Sequence, residues 1–298
     1  MDSWDFVHSE IRRLAPDASW IDGEYAKLLD ELSFEVKAFL GVSHNTSYGD
    51  VVAKMKAYEL DAFKRRLKGI NVELWKKYRF RVNLTRLDGL ATLCDAHIYE
   101  LFKRIEERIT REFTDYMEKV RRLNLWAYGD EHDNEDEDED GFDFESLFKK
   151  KWYGKTFHGR LWHGFSFYMM TLKVTLGKEF ALGHGHKLIM KALSYLNDRY
   201  KNTFIRFYKT EPFQFANNVI EREYHLHNVK DYIYNASPNE SKCVVCGGLD
   251  RTKHQVANIL VGANYPTMHP RCDCLTRPSL YLPQEKPFAQ WEKLIFGK

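Results

Sequence analysis

Between Leu84 and Val120 the positions Leu84, Leu87, Ala91, Cys94, Ile98, Leu101, Ile105, Ile109, Phe113, Tyr116 and Val120 recur at intervals of three and four, with no proline among them. This spacing lays the side chains along one stripe of a 3.6-residue helix, with Glu, Lys and Arg on the outer face. So long a stripe needs other helices to cover it. The stretch from about Val72 to Leu123 therefore reads as one amphipathic helix or a helix pair, with Gly89 as its weak point. An element of this kind suits a bundle or an interaction rod better than a catalytic scaffold. Cys94 falls inside the stripe and reads as a small buried hydrophobe, not as a nucleophile.

The same periodicity continues on both sides. Residues 22–40 read as a helix capped by Asp22, with Tyr25, Leu28, Leu32 and Val36 on one face and Gly41 at its end. A loop over Ser43–Ser47 precedes a second helix from about Tyr48 to Lys68. Further on, Leu161, Phe165, Tyr168, Leu172, Leu176 and Phe180 mark another helix, broken by Gly183-His184-Gly185-His186 and followed by one from Lys187 to about Tyr200. Residues 204–229 read as helical with an interruption at Pro212. His184 and His186 alternate, whereas helical metal pairs sit at i and i+4, so both read as loop residues. The expected class is mainly α: a long helical bundle or rod with a small α+β Cys/His module at its C-terminal end. The expected regions are an N-terminal helical region (1–123), an acidic flexible linker (124–150), a central helical region (151–235), and the C-terminal module with its tail (236–298).

The formal net charge of +2 conceals a segregation. Residues 130–145 hold eleven carboxylates and no Lys or Arg; set aside, they leave 32 acids against 45 bases, so the remainder stands near +13. The acidic run repels itself and predicts a mobile segment. A basic body suits an anionic partner, nucleic acid first, although Lys and Arg also simply solvate long helices. No apolar run reaches the roughly 18 residues of a membrane span, and the N-terminal residues lack a signal-peptide pattern. The expectation is a non-membrane protein kept in the reducing compartment where it is made.

Four of the five cysteines cluster near the end. Cys243-Val-Val-Cys246-Gly-Gly puts two thiols on one tight turn, and His269-Pro-Arg-Cys272-Asp-Cys274 supplies three more soft donors. Zinc takes four N or S ligands in a tetrahedron, and five candidates are present. Cys243, Cys246, Cys272 and Cys274 form the first set, with His269 as substitute for one of the last two. Two disulfides between the clusters, or free thiols, are the competing readings. A closed four-ligand site is structural.

These residues also carry a resemblance. Cys243-x-x-Cys246-Gly-Gly-Leu249-Asp250, followed by Gly262-Ala-Asn264-Tyr-Pro266-Thr-Met268-His269-Pro270-Arg-Cys272-Asp-Cys274, resembles the closing motif of tailed-phage minor head proteins, the head-morphogenesis proteins similar to protein F of phage Mu. Tyr153-Gly154-Lys155-Thr156-Phe157, Arg160-Leu161-Trp162 and Thr210-Glu211 resemble upstream blocks of that family. The chain departs from the pattern at Asp273 and Lys209, where basic residues and Arg are usual, and at Lys253–Leu260, which shows no short-strand pattern. The resemblance implies a virion protein without enzymatic activity. It would sit in the head interior near the portal after assembly in the host cytoplasm. Its partners would be the portal protein, scaffold or capsid proteins, and double-stranded DNA bound without sequence preference, in head assembly, packaging or DNA delivery. Two alternatives stand beside it: a zinc nuclease using His254 or His269 as base, and a structural scaffold that never touches DNA. No Walker A string, G-x-S-x-G elbow or H-E-x-x-H pair occurs.

Overall fold

The computed structural model describes residues 3–41, 47–129, 142–238 and 243–279. The structure is mainly helical (71%), with a small C-terminal three-stranded antiparallel sheet bearing the Cys/His cluster. In chain order the helices are α1 (Ser3–Leu14), α2 (Trp20–Gly41), α3 (Tyr48–Val52), α4 (Ala57–Ile70), α5 (Val72–Tyr78), α6 (Arg86–Tyr128), α7 (Phe144–Lys149), α8 (Phe157–Ala181), α9 (His186–Tyr208), α10 (Glu211–Leu226) and α11 (Val244–Leu249). The strands are β1 (Asp231–Asn235), β2 (Lys253–Gln255) and β3 (Leu275–Pro278). The chain divides into two compact units, one of Ser19–Arg108 with Lys151–Phe204, the other of Met1–Ala18, Ile109–Lys150 and Ile205–Lys298.

The long stripe resolves into the helix pair. α5 is short, and α6 runs 43 residues with Cys94, Ile98, Leu101, Ile105, Ile109, Phe113, Tyr116 and Val120 all buried. Cys94 is a core residue, and burial pushes its thiol well above the ordinary range. Gly89 is a close-packing site: the Met55 methyl lies where a Cβ would stand, 1.9 Å from its ideal position. The expected second helix is split into α3 and α4 around Ala53–Lys56, because Met55 and Arg86 backbone amides bond to Leu84 and Ala53 carbonyls across that break. Ser3–Leu14, unassigned from the sequence, is helical, with Trp4, Val7 and Ile11 buried along one face together with His8 and Glu10.

In the first unit, Tyr25, Leu28, Leu32 and Val36 of α2 and Phe165, Tyr168, Leu172 and Leu176 of α8 are buried. Polar groups inside are paired: Tyr168 donates to Asn197 Oδ1 at 2.9 Å, and Asn197 Nδ2 donates to the Tyr25 carbonyl at 3.1 Å. Buried Glu35 accepts both the Arg66 Nε at 2.6 Å and the His97 Nε2 at 2.9 Å. Burial alone would raise its pKa; the hydrogen bonds and charges of His97 and Arg66 outweigh that and hold it below the usual carboxylate range.

In the second unit, Tyr116 of α6 donates to the Ile11 carbonyl at 3.1 Å, and Phe113 and Phe148 both pack on Phe215 of α10. Residues 130–141 of the acidic run lie outside the described residues. Its last part is built into the unit: Phe142 is buried beneath the guanidinium groups of Arg121 and Arg222, and Asp143 caps α7 by accepting the Ser146 amide. The helical stretch is interrupted as expected, at Lys209–Thr210, and Pro212 falls just after the break in the first turn of α10, where its missing N–H costs nothing. β1 is central, pairing Tyr232 with His254 of β2 and Tyr234 with Thr276 of β3. Lys253–Gln255 is thus a strand although its composition did not announce one, because the β1 edge supplies its partners.

Candidate metal centre

The first tip is built by the Cys-x-x-Cys turn. Cys243 is the N-cap of α11, and its sulfur accepts the Cys246 amide at 3.3 Å, so both thiols face the same side. The turn is pinned to the sheet: Asp250 accepts the Ala236 amide at 2.9 Å, and the Arg251 amide donates to the Tyr234 carbonyl at 2.7 Å.

The second tip, His269–Cys274, is held by α10. Arg271 takes a left-handed backbone (φ 66°), and its amide donates to Thr210 Oγ1 at 2.8 Å. Asn217 Nδ2 donates to the Cys274 carbonyl at 3.0 Å, and Tyr265 donates to the Asn217 carbonyl at 2.7 Å. Asp273 accepts a hydrogen bond from Ser237 Oγ at 2.9 Å and faces Arg12 at 3.9 Å.

The two tips meet. His269 Nε2 lies 3.0 Å from the Cys243 sulfur and 3.2 Å from that of Cys246; the sulfurs of Cys246 and Cys272 are 4.0 Å apart. Cys243, Cys246 and His269 form one group that can hold a metal ion such as zinc, and Cys246, Cys272 and Cys274 form another, with Cys246 common to both. These separations are comparable to the edges of a zinc tetrahedron, about 3.8 Å between thiolates with Zn–S near 2.3 Å. No disulfide joins these cysteines, and 4.0 Å is about twice an S–S bond. Cys246, Cys272 and Cys274 are buried.

The electrostatics suit a cation. Within each thiol pair one member sits low and its neighbour high. The Cys246 amide lowers Cys243, whereas burial pushes Cys246 up to about 12. A hydrogen bond with Cys274 lowers Cys272, and the same bond raises Cys274. A divalent cation would displace the protons of these thiols. His269 pairs its Nδ1 with the Pro270 carbonyl at 2.9 Å, which fixes the tautomer and leaves the Nε2 lone pair aimed at the sulfurs. The Tyr234 hydroxyl is buried beside the sulfurs of Cys274 and Cys246, where it can donate to a thiolate.

The structure brings all five sequence candidates to this one place. It leaves His254 outside, bonded through Nε2 to Thr252 Oγ1 at 2.8 Å and packed on Tyr232. His184 engages Glu179 at 2.7 Å and His186 engages Ser33 at 3.3 Å; neither joins a metal-binding group among the described residues. The supporting residues Tyr234, Asn217 and Ser237 gave no signal in the sequence; Thr210 stood inside a quoted motif without an assigned task. No helix among the described residues is long and apolar enough to cross a membrane. No family model, curated protein or solved structure matches this chain.

Proposed function

We propose that the chain is a non-enzymatic structural protein of the phage head-morphogenesis type, whose C-terminal tips are clamped by a zinc ion held by Cys243, Cys246, His269 and Cys272. The observation that carries this reading is the approach of His269 Nε2 to the sulfurs of Cys243 and Cys246, with Cys272 next in line. Four such ligands leave no open position for water, so the ion would cross-link the fold and activate nothing. His269 is then a ligand and not a base, and His254 belongs to neither metal-binding group. The partner carried over from the resemblance is the portal protein, with duplex DNA held through its phosphates.

Metal analysis of the purified chain tests the clamp: one zinc per chain is expected, lost in His269→Ala and Cys272→Ser and kept in Cys274→Ser. A chain with no metal and fewer than five titratable thiols would overturn it in favour of disulfides. Co-sedimentation with portal protein tests the assembly role. Retention on duplex DNA should fall steeply from low to physiological salt; a flat response removes the DNA part and leaves the clamp standing.

A further inference from the structure

Lys64–Arg81 contains eight Lys and Arg and one acid, Glu73. Much of this charge has no carboxylate to answer it. Lys68, Lys77, Arg79 and Arg81 are exposed, and among the described residues none of them is paired with an acid, while Glu73 is itself held by Lys76 at 2.8 Å. Within the segment Arg66 has Glu35, and elsewhere in the same unit Arg86 and Lys173 have Glu59 and Asp88.

Three of the four lie over rings instead. Lys68 Nζ is 4.9 Å from the Trp75 centroid, the Arg79 guanidinium 5.7 Å from Trp75 and 4.6 Å from Phe80, and the Arg81 guanidinium 5.1 Å from Tyr78. Trp75 and Tyr78 are anchored on the leucine-rich cluster beneath α5. A guanidinium laid flat on a ring is fixed in place while its N–H edge stays free for phosphate oxygens. Phe80 stands between two arginines in the turn after α5 with 79% of its surface in water, and Val82 beside it is 65% exposed. A reader of duplex backbone needs only the cations. An exposed ring among them fits a base whose face is open.

We propose that α5 and the turn Arg79–Val82 bind a nucleic-acid strand with unpaired bases. Lys68, Lys77, Arg79 and Arg81 meet its phosphates and Phe80 stacks on a base. This deepens the DNA part of the proposed function and rests on it, adding a place and a strand preference.

The test is fluorescence anisotropy of the full zinc-containing chain with a short oligothymidine and with a blunt duplex of equal length, across a salt series. Circular dichroism verifies that each variant folds. K77Q/R79Q/R81Q should flatten the slope of log affinity against log salt for oligothymidine by about 2, from three phosphate contacts at roughly 0.7 each. F80A should weaken oligothymidine about five- to hundredfold, the range for one base–aromatic stack, and leave the duplex nearly unchanged. K178Q/K187Q/K191Q, which removes the same charge from exposed positions on α8 and α9, should leave the slope as it is. Wild-type slopes in the α5 variants, or equal loss in the control, would overturn the location while DNA binding survives. Failure of the wild type to bind either oligonucleotide would overturn both, leaving the metal clamp and portal association in place. Binding to anionic vesicles that F80A abolishes, without oligonucleotide affinity, would make the surface a lipid contact and overturn the proposal.

Discussion

Two small cores in this molecule are built on opposite principles. Beneath α4 and α5, Leu60, Phe63, Leu67, Leu84, Leu93 and Ala96 are buried with Met55, Ile70, Leu74, Trp75 and Tyr78 packed around them. Around the sheet, the buried set is Tyr234, Ala236, Cys246, Cys272 and Cys274, with Cys243, Leu249 and Met268 at its border. The first is stabilised by area, at about 25 cal/mol per Å² of apolar surface removed from water, spread over many side chains. The second has fewer apolar side chains, and three of its five buried members are thiols of a group that can hold a metal ion. A core of the first kind degrades gradually when trimmed. A core of the second kind depends on a few atoms meeting at one point.

The sharpest way to break this comparison is to remove a ligand. Cys246 belongs to both metal-binding groups, so Cys246→Ser should reduce zinc affinity by more than the roughly 10- to 100-fold that an outer hydrogen-bond partner carries. It should also expose the sheet to hydrogen exchange while the leucine-rich core keeps its protection. Equal loss of protection in both cores would mean that they are not separately held.

Next in size is a truncation of the apolar core. Leu67 is fully buried, and Leu67→Ala should cost about 2–5 kcal/mol of stability in chemical denaturation. The zinc content should be unchanged, and a loss of metal in this variant would erase the distinction between the two regions.

The first unit also has one buried ionic centre, which sharpens the comparison further. Glu35→Gln should cost about 2 kcal/mol, less than the 3–5 kcal/mol of a fully buried pair because Arg66 is 35% exposed to screening solvent. The folded carboxylate titrates below its unfolded value. Its contribution is therefore present at neutral pH and is lost as the pH falls through and below the ordinary carboxylate range. A wild-type stability that declines there, against a flatter acid limb in Glu35→Gln, is the expected pair of curves from denaturation at several pH values.

The smallest effect concerns support of the second tip. Thr210→Val removes the acceptor of the Arg271 amide and should cost about 1–2 kcal/mol, with zinc weakened about tenfold in competition with a chromogenic chelator. Unchanged zinc affinity would show that the tip holds its shape without α10.

The helical part was legible from residue spacing because a helix reports its buried face at every turn. The stripe from Leu84 to Val120, the break at Gly183–His186 and the buried Cys94 all stand where periodicity placed them. Residue spacing misled where a strand owes its existence to a neighbour, as β2 does to β1, and it left Ser3–Leu14 unassigned. For the site, the five donor residues could be read from motif and spacing, but the shell around them could not. Thr210, Asn217 and Ser237 reach the second tip from segments 36 to 61 residues away in sequence.

The amino-acid order alone determined a mainly helical chain with five soft donors gathered in two short runs near its end, because helical period and cysteine spacing are local properties of the chain. Only the tertiary structure decided that the two runs converge and that His269 turns its Nε2 toward the sulfurs. It also decided that Lys68, Arg79 and Arg81 lie over the rings of Trp75, Tyr78 and Phe80. Those outcomes depend on contacts between residues distant in sequence, and on which partner each charge finds once the chain has packed.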